Sequence, residues 1–258
     1  MALLAIPIGL LIGLSLGALG GGGSILTVPA LVYLLGLSPH QATTASLLVV
    51  GIAAISGAIT HARAGRASVR TGAIFGLLGV AGSYAGSLAS ATVPANALLA
   101  GFGGLMLAVV ATMIARRRMP SLSRPPGHPR EGGRRVAVVA ATATGVGVVT
   151  GFFGVGGGFV VVPALVLVLG FGMPAAAGTS LIVVAVDSAA ALAARAGHAL
   201  FALDWALVGA FAGAAVLGTL AGTRLAGRVS PERLSAAFTL LIIAVAGYTL
   251  ARSLPSLA

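Results

Sequence analysis

The chain has no cysteine, no lysine and only four acidic residues in 258. Without cysteine it has no disulfide, no thiolate metal site and no cysteine nucleophile. Charged residues of all kinds make up 7% of it, where a soluble globular domain carries about a quarter. Such a chain cannot cover a water-facing surface. A soluble enzyme, a nucleic-acid-binding domain and a disordered tail are thereby excluded. The sequence also lacks an acid pair, a histidine cluster at metal-ligating spacing and a Walker-type phosphate loop. Gly20–Gly23 is glycine-rich, but no lysine follows it. No catalytic residue, metal or cofactor is expected.

What is present is apolar: 58% hydrophobic residues and 39 glycines, with a mean hydropathy of +1.10. These values describe an all-α polytopic membrane protein. All 15 basic residues are arginine, for a net charge of +11. They cluster between the apolar runs, which reads as cytoplasmic loops and lipid headgroup contacts rather than nucleic-acid binding. Met1–Leu4 has no basic residue, so no cleaved signal peptide is expected. The location expected is the inner membrane of a prokaryote, with several crossings.

The hydrophobic runs are Leu3–Gly36, Gln41–Ala62, Val69–Ser90, Ala95–Ala115, Val136–Gly172, Ala175–Ala194, Ala206–Thr223 and Leu234–Ala251. Six are near the ~20 residues that cross a bilayer. Leu3–Gly36 as one straight helix would be ~51 Å long, against a ~30 Å hydrocarbon core, and Val136–Gly172 is longer still. Both are interrupted by glycine clusters. The one polar linker, residues 116–135, holds seven arginines and four prolines. It separates a first transmembrane repeat, residues 1–115, from a second, residues 136–258.

The halves match residue by residue. Gly13-Leu-Ser-Leu-Gly17 corresponds to Gly147-Val-Val-Thr-Gly151, Gly20-Gly-Gly-Gly-Ser24 to Gly154-Val-Gly-Gly-Gly158, and Val28-Pro-Ala-Leu-Val32 to Val162-Pro-Ala-Leu-Val166. Ser46-Leu47 corresponds to Ser180-Leu181, and all these pairs are 134 positions apart. Farther on the offset drifts. His61 and Arg195 pair at 134, whereas the match of Arg63-Ala-Gly65 to Arg195-Ala-Gly197 pairs Arg63 with Arg195. Duplicated halves with paired, interrupted hydrophobic segments are typical of secondary transporters, and the interruption points to the substrate site.

Backbone freed from a helix in lipid must be satisfied by protein or by water in a cavity. Gly20, Gly21, Gly22 and Gly23, with Gly154, Gly156, Gly157 and Gly158, are therefore expected to line a polar space, the alternative being tight helix packing. A new helix is expected to start at Pro29 and Pro163, or at Ser24 as an N-cap. Its N-terminus would then face the break and favour an anion. If each long run is a hairpin or re-entrant pair, each half has an odd number of crossings and the repeats are inverted. If each is one crossing, there are eight crossings and the repeats are parallel. The inverted arrangement puts 13 arginines inside, leaving Arg195 and Arg252 outside; the parallel one puts 12 inside. Inversion is the expected form.

Asp187 is the carboxylate well inside an apolar run. Such a group is costly and usually faces a cavity or a partner. It can carry a coupling proton, or serve as a structural hydrogen-bonding group. Asp204 and Trp205 read as an interfacial cap and anchor. Arg195, close to a segment end, reads first as a headgroup contact, the alternative being a bidentate clamp on an oxyanion. Gln41, Thr43, Thr44 and Ser46 open one run, and Thr179 and Ser180 open its counterpart. They coordinate anion oxygens, or cap the helix and bond back to its backbone. The pairs Gly72/Gly76, Gly82/Gly86, Gly209/Gly213 and Gly218/Gly222 read as packing faces.

The twin motif Gly17-x-x-Gly20-Gly-Gly-Gly-Ser-x-x-x-x-Pro29 and Gly151-x-x-Gly154-x-Gly-Gly-Gly-x-x-x-x-Pro163 resembles that of the sulfite exporter TauE/SafE family, over essentially the whole chain. The resemblance implies export, or uptake, of sulfur-containing anions such as sulfite, an organosulfonate or thiosulfate, driven by an ion gradient. Candidate substrate-binding residues carried by it are the two glycine motifs with Ser24 and, more loosely, Thr44, Ser46, Thr179 and Ser180. The expected partners are the small anion, the lipid bilayer and a coupling proton. No nucleic acid is expected, and a homodimer is compatible with the chain. A passive anion channel of the same fold is the alternative, though a channel needs no titratable Asp187.

Overall fold

A computed structural model describes residues 2–118, 132–154, 157–195 and 203–253. Every regular element among them is helical. The first half contains α1 (Ala2–Leu19), α2 (Gly22–Pro29), α3 (Pro39–Arg63), α4 (Val69–Ser90) and α5 (Ala95–Arg118). The second contains α6 (Gly132–Phe153), α7 (Gly158–Leu167), α8 (Met173–Ala194), α9 (Trp205–Ala226) and α10 (Pro231–Ser253). Among the described residues, five helices are long and apolar enough to cross a membrane: α3, α4, α8, α9 and the first 18 residues of α10. The middle of the linker lies outside the described residues; α5 and α6 run into it from either side.

Both long apolar runs are broken at the glycines. Gly20 and Gly154 take φ of +74° and +63°, a left-handed conformation that glycine adopts without steric cost. After the first break the chain doubles back, so that Gly23 packs against Ile12 and Leu16 of α1. The new helices start earlier than the prolines: α2 begins at Gly22 and α7 at Gly158. Pro29 ends α2 and Pro163 lies inside α7. Ser24 is not the cap either; its hydroxyl donates to Gly21 O at 2.7 Å from within the first turn. Nothing in Gly22–Val28 opposes helix, so helix resumes as soon as the left-handed turn is complete. The proline acts downstream instead. Without an N–H at Pro29 the helix widens, and Ala30–Leu34 forms a π-turn with Leu35 N–H donating to Ala30 O at 3.1 Å.

Local signals start the other helices where the sequence suggests. Ser38 and Gln41 form a capping box at α3, with Pro39 in its first turn. Asp204 caps α9 through Oδ1, which accepts from Ala206 N at 3.0 Å and Leu207 N at 3.1 Å, and Trp205 beside it is exposed.

Glycine contacts fix how the helices run. Gly13 meets the backbone of Ala215 and Gly17 that of Thr219, so α1 and α9 are parallel. Likewise Gly147 meets Gly79 and Gly151 meets Ser83, so α6 and α4 are parallel. These are equivalent pairs with the halves exchanged. Gly218/Gly222 pack on Leu10 and Leu14, Gly82/Gly86 on Thr144 and Val148, and Gly72/Gly76 on Ile182 and Val186. Three of the four small-residue pairs are thus packing faces, where a missing side chain lets backbones approach. Gly209 and Gly213 meet nothing within 4 Å. At the centre α3 and its counterpart α8 run antiparallel, with Gly51 against Ser188, Gly57 against Leu181 and His61 against Gly178.

Candidate anion site between the two halves

The broken segments cross between the halves. Gly21 touches Gly158 backbone to backbone, beside Val184 in the middle of α8. Gly20 lies against Ala177 and Ser180, and Gly154 against Thr43. Gly20, Gly21, Gly22, Gly23, Ser24, Gly154, Gly157 and Gly158 are all buried; Gly156 lies outside the described residues. The crossing is closely packed: ideal side-chain carbons on Gly21, Gly23 or Gly158 would run into backbone. Its effect on the site is to bring the ends of α6 and α8 against the start of α3.

Arg195, immediately after α8, lies at that junction. Sequence position suggests a headgroup contact; the side chain instead turns inward. Its Nε donates to Ser87 Oγ at 2.6 Å. One terminal nitrogen donates to Thr43 Oγ1 at 2.7 Å and Thr44 Oγ1 at 3.4 Å. The other donates to Ser90 Oγ at 2.7 Å and Gly151 O at 3.0 Å. The physical reason is cost: an arginine in a membrane helix is expensive by about 3 kcal/mol or more, and five N–H donors find five partners here. None of the partners is a carboxylate, so they hold the guanidinium without neutralising it.

The hydroxyls are oriented for this. Thr43 and Thr44 donate to His40 O at 2.9 and 3.1 Å. Ser87 donates to Ala191 O and Ser90 to Ser87 O, both at 2.9 Å. Each proton is committed to a carbonyl, which leaves lone pairs facing Arg195. Of the alternatives for Thr43 and Thr44, the structure shows the bond back to their own helix, and both hydroxyls also accept from Arg195. A cavity of about 330 Å³ opens beside the guanidinium, lined by His40, Gln41, Thr44, Ser87, Ser90, Ala91 and Arg195. A fixed positive charge with hydroxyls and an amide around it suits a small oxyanion. The bond to Thr44 is the longest of the five and the one an entering anion would most easily displace.

The remaining candidates lie elsewhere. Ser46 is buried and its Oγ has no hydrogen-bond partner. Ser180 Oγ donates to Ala177 O at 2.8 Å, and Thr179 Oγ1 accepts from Ser68 N at 3.0 Å. Asp187 is 1% exposed, packed against Gly79 and close to the Ser83 hydroxyl, with Oδ1 unpartnered. It is two turns before Arg195 on the same helix. Of the polar residues that the sequence singles out at the start of α3, Gln41 and Thr44 line the cavity. His40, Ser87, Ser90 and the inward Arg195 were not legible as a group. One signal was present: Ser83, Ser87 and Ser90 share a face of α4 at i, i+4 and i+7. Among the described residues no cluster of three or more His, Cys, Asp or Glu could hold a metal.

Over 251 residues the chain is 36% identical to a "Probable membrane transporter protein" of Xylella fastidiosa strain 9a5c, covering 96% of this chain and 94% of that one. It is 35% identical to the protein so named in strain Temecula1 / ATCC 700964, over 96% and 94% of the two chains. A "Probable membrane transporter protein YunE" of Bacillus subtilis strain 168 is 25% identical over 201 residues, 71% of this chain and 74% of that one. No solved structure matches. The family model for "Sulfite exporter TauE/SafE" matches residues 5–249, and the chain belongs to that family of membrane transporters.

Proposed function

We propose that the protein is a secondary transporter, working as an exporter, of a small sulfur-containing anion such as sulfite or an organosulfonate. The anion binds between the two halves and an ion gradient drives it. One observation carries the reading. Arg195, from the second half, is held by Thr43, Thr44, Ser87 and Ser90 of the first half beside a cavity. A rocking of one half against the other would make and break those bonds, which is what alternating access requires.

The repeats are read as inverted. Equivalent helices α3 and α8 run antiparallel, as they do when a two-fold axis lies in the membrane plane; parallel repeats would make them parallel. The arginine-rich ends of α3 and α9 then face the cytoplasm of a prokaryotic inner membrane, and the Arg195 cavity faces the opposite side. Asp187 is assigned the coupling proton, because it is buried, lacks a charged partner and sits on the helix that carries Arg195. A passive channel would not need it.

Flux into proteoliposomes tests this. Sulfite, sulfoacetate or thiosulfate is expected to accumulate against its gradient when a pH gradient is imposed. Flux that is saturable but indifferent to the pH gradient would leave the passive pathway. No flux of any of these anions would remove the sulfur-anion reading.

A further inference from the structure

The residues around Arg195 have equivalents in the other half. Arg195 donates to Gly151 O at 3.0 Å; 134 positions earlier, His61 Nε2 is 2.9 Å from Gly17 O. The packing of α1 on α9 repeats that of α6 on α4, with Gly79 matching Ala215 and Ser83 matching Thr219. That register pairs Ser87 with Thr223 and Ala91 with Gly227. Thr44, on α3, pairs with Gly178 on α8. Four residues lining the cavity, Thr44, Ser87, Ala91 and Arg195, therefore correspond to Gly178, Thr223, Gly227 and His61.

Arg66 touches all four. Its guanidinium donates to Thr223 O at 3.4 Å, and NH1 lies 2.8 Å from where a side-chain carbon on Gly227 would be. Its own carbonyl lies 2.6 Å from that position on Gly178, and its N–H donates to His61 O at 2.9 Å. His61 is 1% exposed, and its Nδ1 has no partner. The hydroxyl side chains that hold Arg195 at Thr43 and Thr44 are replaced here by Ala177 and Gly178, so the Arg66 guanidinium keeps the Thr223 carbonyl at 3.4 Å in place of that pair of hydroxyls.

We propose that the position filled by Arg66 is a second binding site for the same small oxyanion, at the arginine-rich end, and that Arg66 plugs it in the conformation described here. When that end opens, the Arg66 guanidinium swings off Thr223 and becomes the cation that receives the anion, with the His61 ring beside it. One end of the molecule thus has an open site with a fixed arginine, and the other a closed site with a movable one. The proposal rests on the anion-transporter reading.

The test is the sidedness of KM, measured with sulfite, sulfoacetate and thiosulfate in right-side-out and inside-out membrane vesicles. With Arg66→Gln, KM is expected to rise roughly tenfold or more for anion presented at the arginine-rich face, as losing a charge-assisted contact implies, and to stay unchanged at the other face. Arg66→Lys keeps the charge and should fall between. The cysteine-free chain allows a direct second readout that leaves Arg66 intact. The single substitution Thr223→Cys should give a thiol that is shielded from an impermeant maleimide at rest and becomes reactive during transport from that face. Saturable wild-type flux with Arg66→Gln unaltered at both faces, or a Thr223→Cys thiol equally reactive at rest and in turnover, overturns the plugged site alone. Absence of saturable flux in the wild type overturns the transporter reading and this proposal with it.

Discussion

Gly158 lies directly against Gly21: a side-chain carbon on Gly158 would come within 2.6 Å of the Cα of Gly21. This contact joins the halves at the centre of the molecule, backbone against backbone, and neither side can move aside as a flexible side chain would. Gly158→Val and Gly21→Val are therefore expected to destabilise the protein by at least about 3 kcal/mol, the upper range for forced overpacking. A side-chain carbon on Gly22 would come within 2.9 and 3.0 Å of the side-chain ends of Leu241 and Leu19, which are flexible, so Gly22→Ala should cost about 1 kcal/mol or less. Thermal unfolding in detergent measures the order; equal effects at Gly22 and Gly158 would contradict the close crossing.

Ser46 and Ser180 are equivalent in sequence but not in bonding. Ser180 gives its proton to Ala177 O, whereas Ser46 Oγ is buried without a partner. Ser180→Ala is expected to lower stability by ~1 kcal/mol, the net value of a lost hydrogen bond. Ser46→Ala removes an unpartnered polar atom and should be neutral or mildly stabilising. Neither lines the Arg195 cavity, so anion affinity should change by less than about twofold in both. Thermal unfolding and titration on the same samples check the two statements separately.

Ser87 and Ser90 anchor Arg195 from α4 at 2.6 and 2.7 Å. Replacing either by alanine leaves one N–H without its acceptor. Each substitution should weaken anion binding about tenfold, as ~1.4 kcal/mol of lost orientation implies. Calorimetric titration checks this, with Thr92→Ala as the control, since Thr92 is exposed and bonds only Ala89 O.

The sequence made the two breaks and the duplication readable because glycine and proline act locally. Gly20 and Gly154 need a left-handed backbone, and no other cluster in the chain offers four glycines in five residues. The restart of each helix was misjudged because proline's usual place in the first turn is only a preference. Pro29 and Pro163 are instead accommodated late in their helices. Arg195 reads from sequence first as a headgroup contact, and only second as an oxyanion clamp, for a different reason. Its hydroxyl acceptors are more than 100 residues away on α3 and α4, and a segment-end arginine carries no local sign of whether it turns to lipid or to protein. The 134 offset did contain the answer, since it aligns Arg195 with His61. Equal spacing pairs Arg195 with His61 and identical letters pair it with Arg63; the matching contacts to Gly151 O and Gly17 O select His61.

Asp187→Asn removes the exchangeable proton while keeping the shape of the neutral acid. Gradient-driven accumulation of anion should be lost, and anion exchange and binding should remain within about threefold of wild type. Paired assays of net uptake and exchange in proteoliposomes distinguish the two functions. Undiminished pH-driven uptake in Asp187→Asn would show that the coupling proton is carried elsewhere.

The most direct test of the site is calorimetric titration of purified wild type and Arg195→Gln with sulfite, sulfoacetate and thiosulfate. The account predicts saturable binding of at least one of these anions to the wild type. Arg195→Gln should lose it by roughly a hundredfold, as removing a charged hydrogen-bonding partner worth up to ~3 kcal/mol implies. Wild-type affinity retained in a folded Arg195→Gln protein would contradict the account, because the anion would then be held away from the Arg195 cavity.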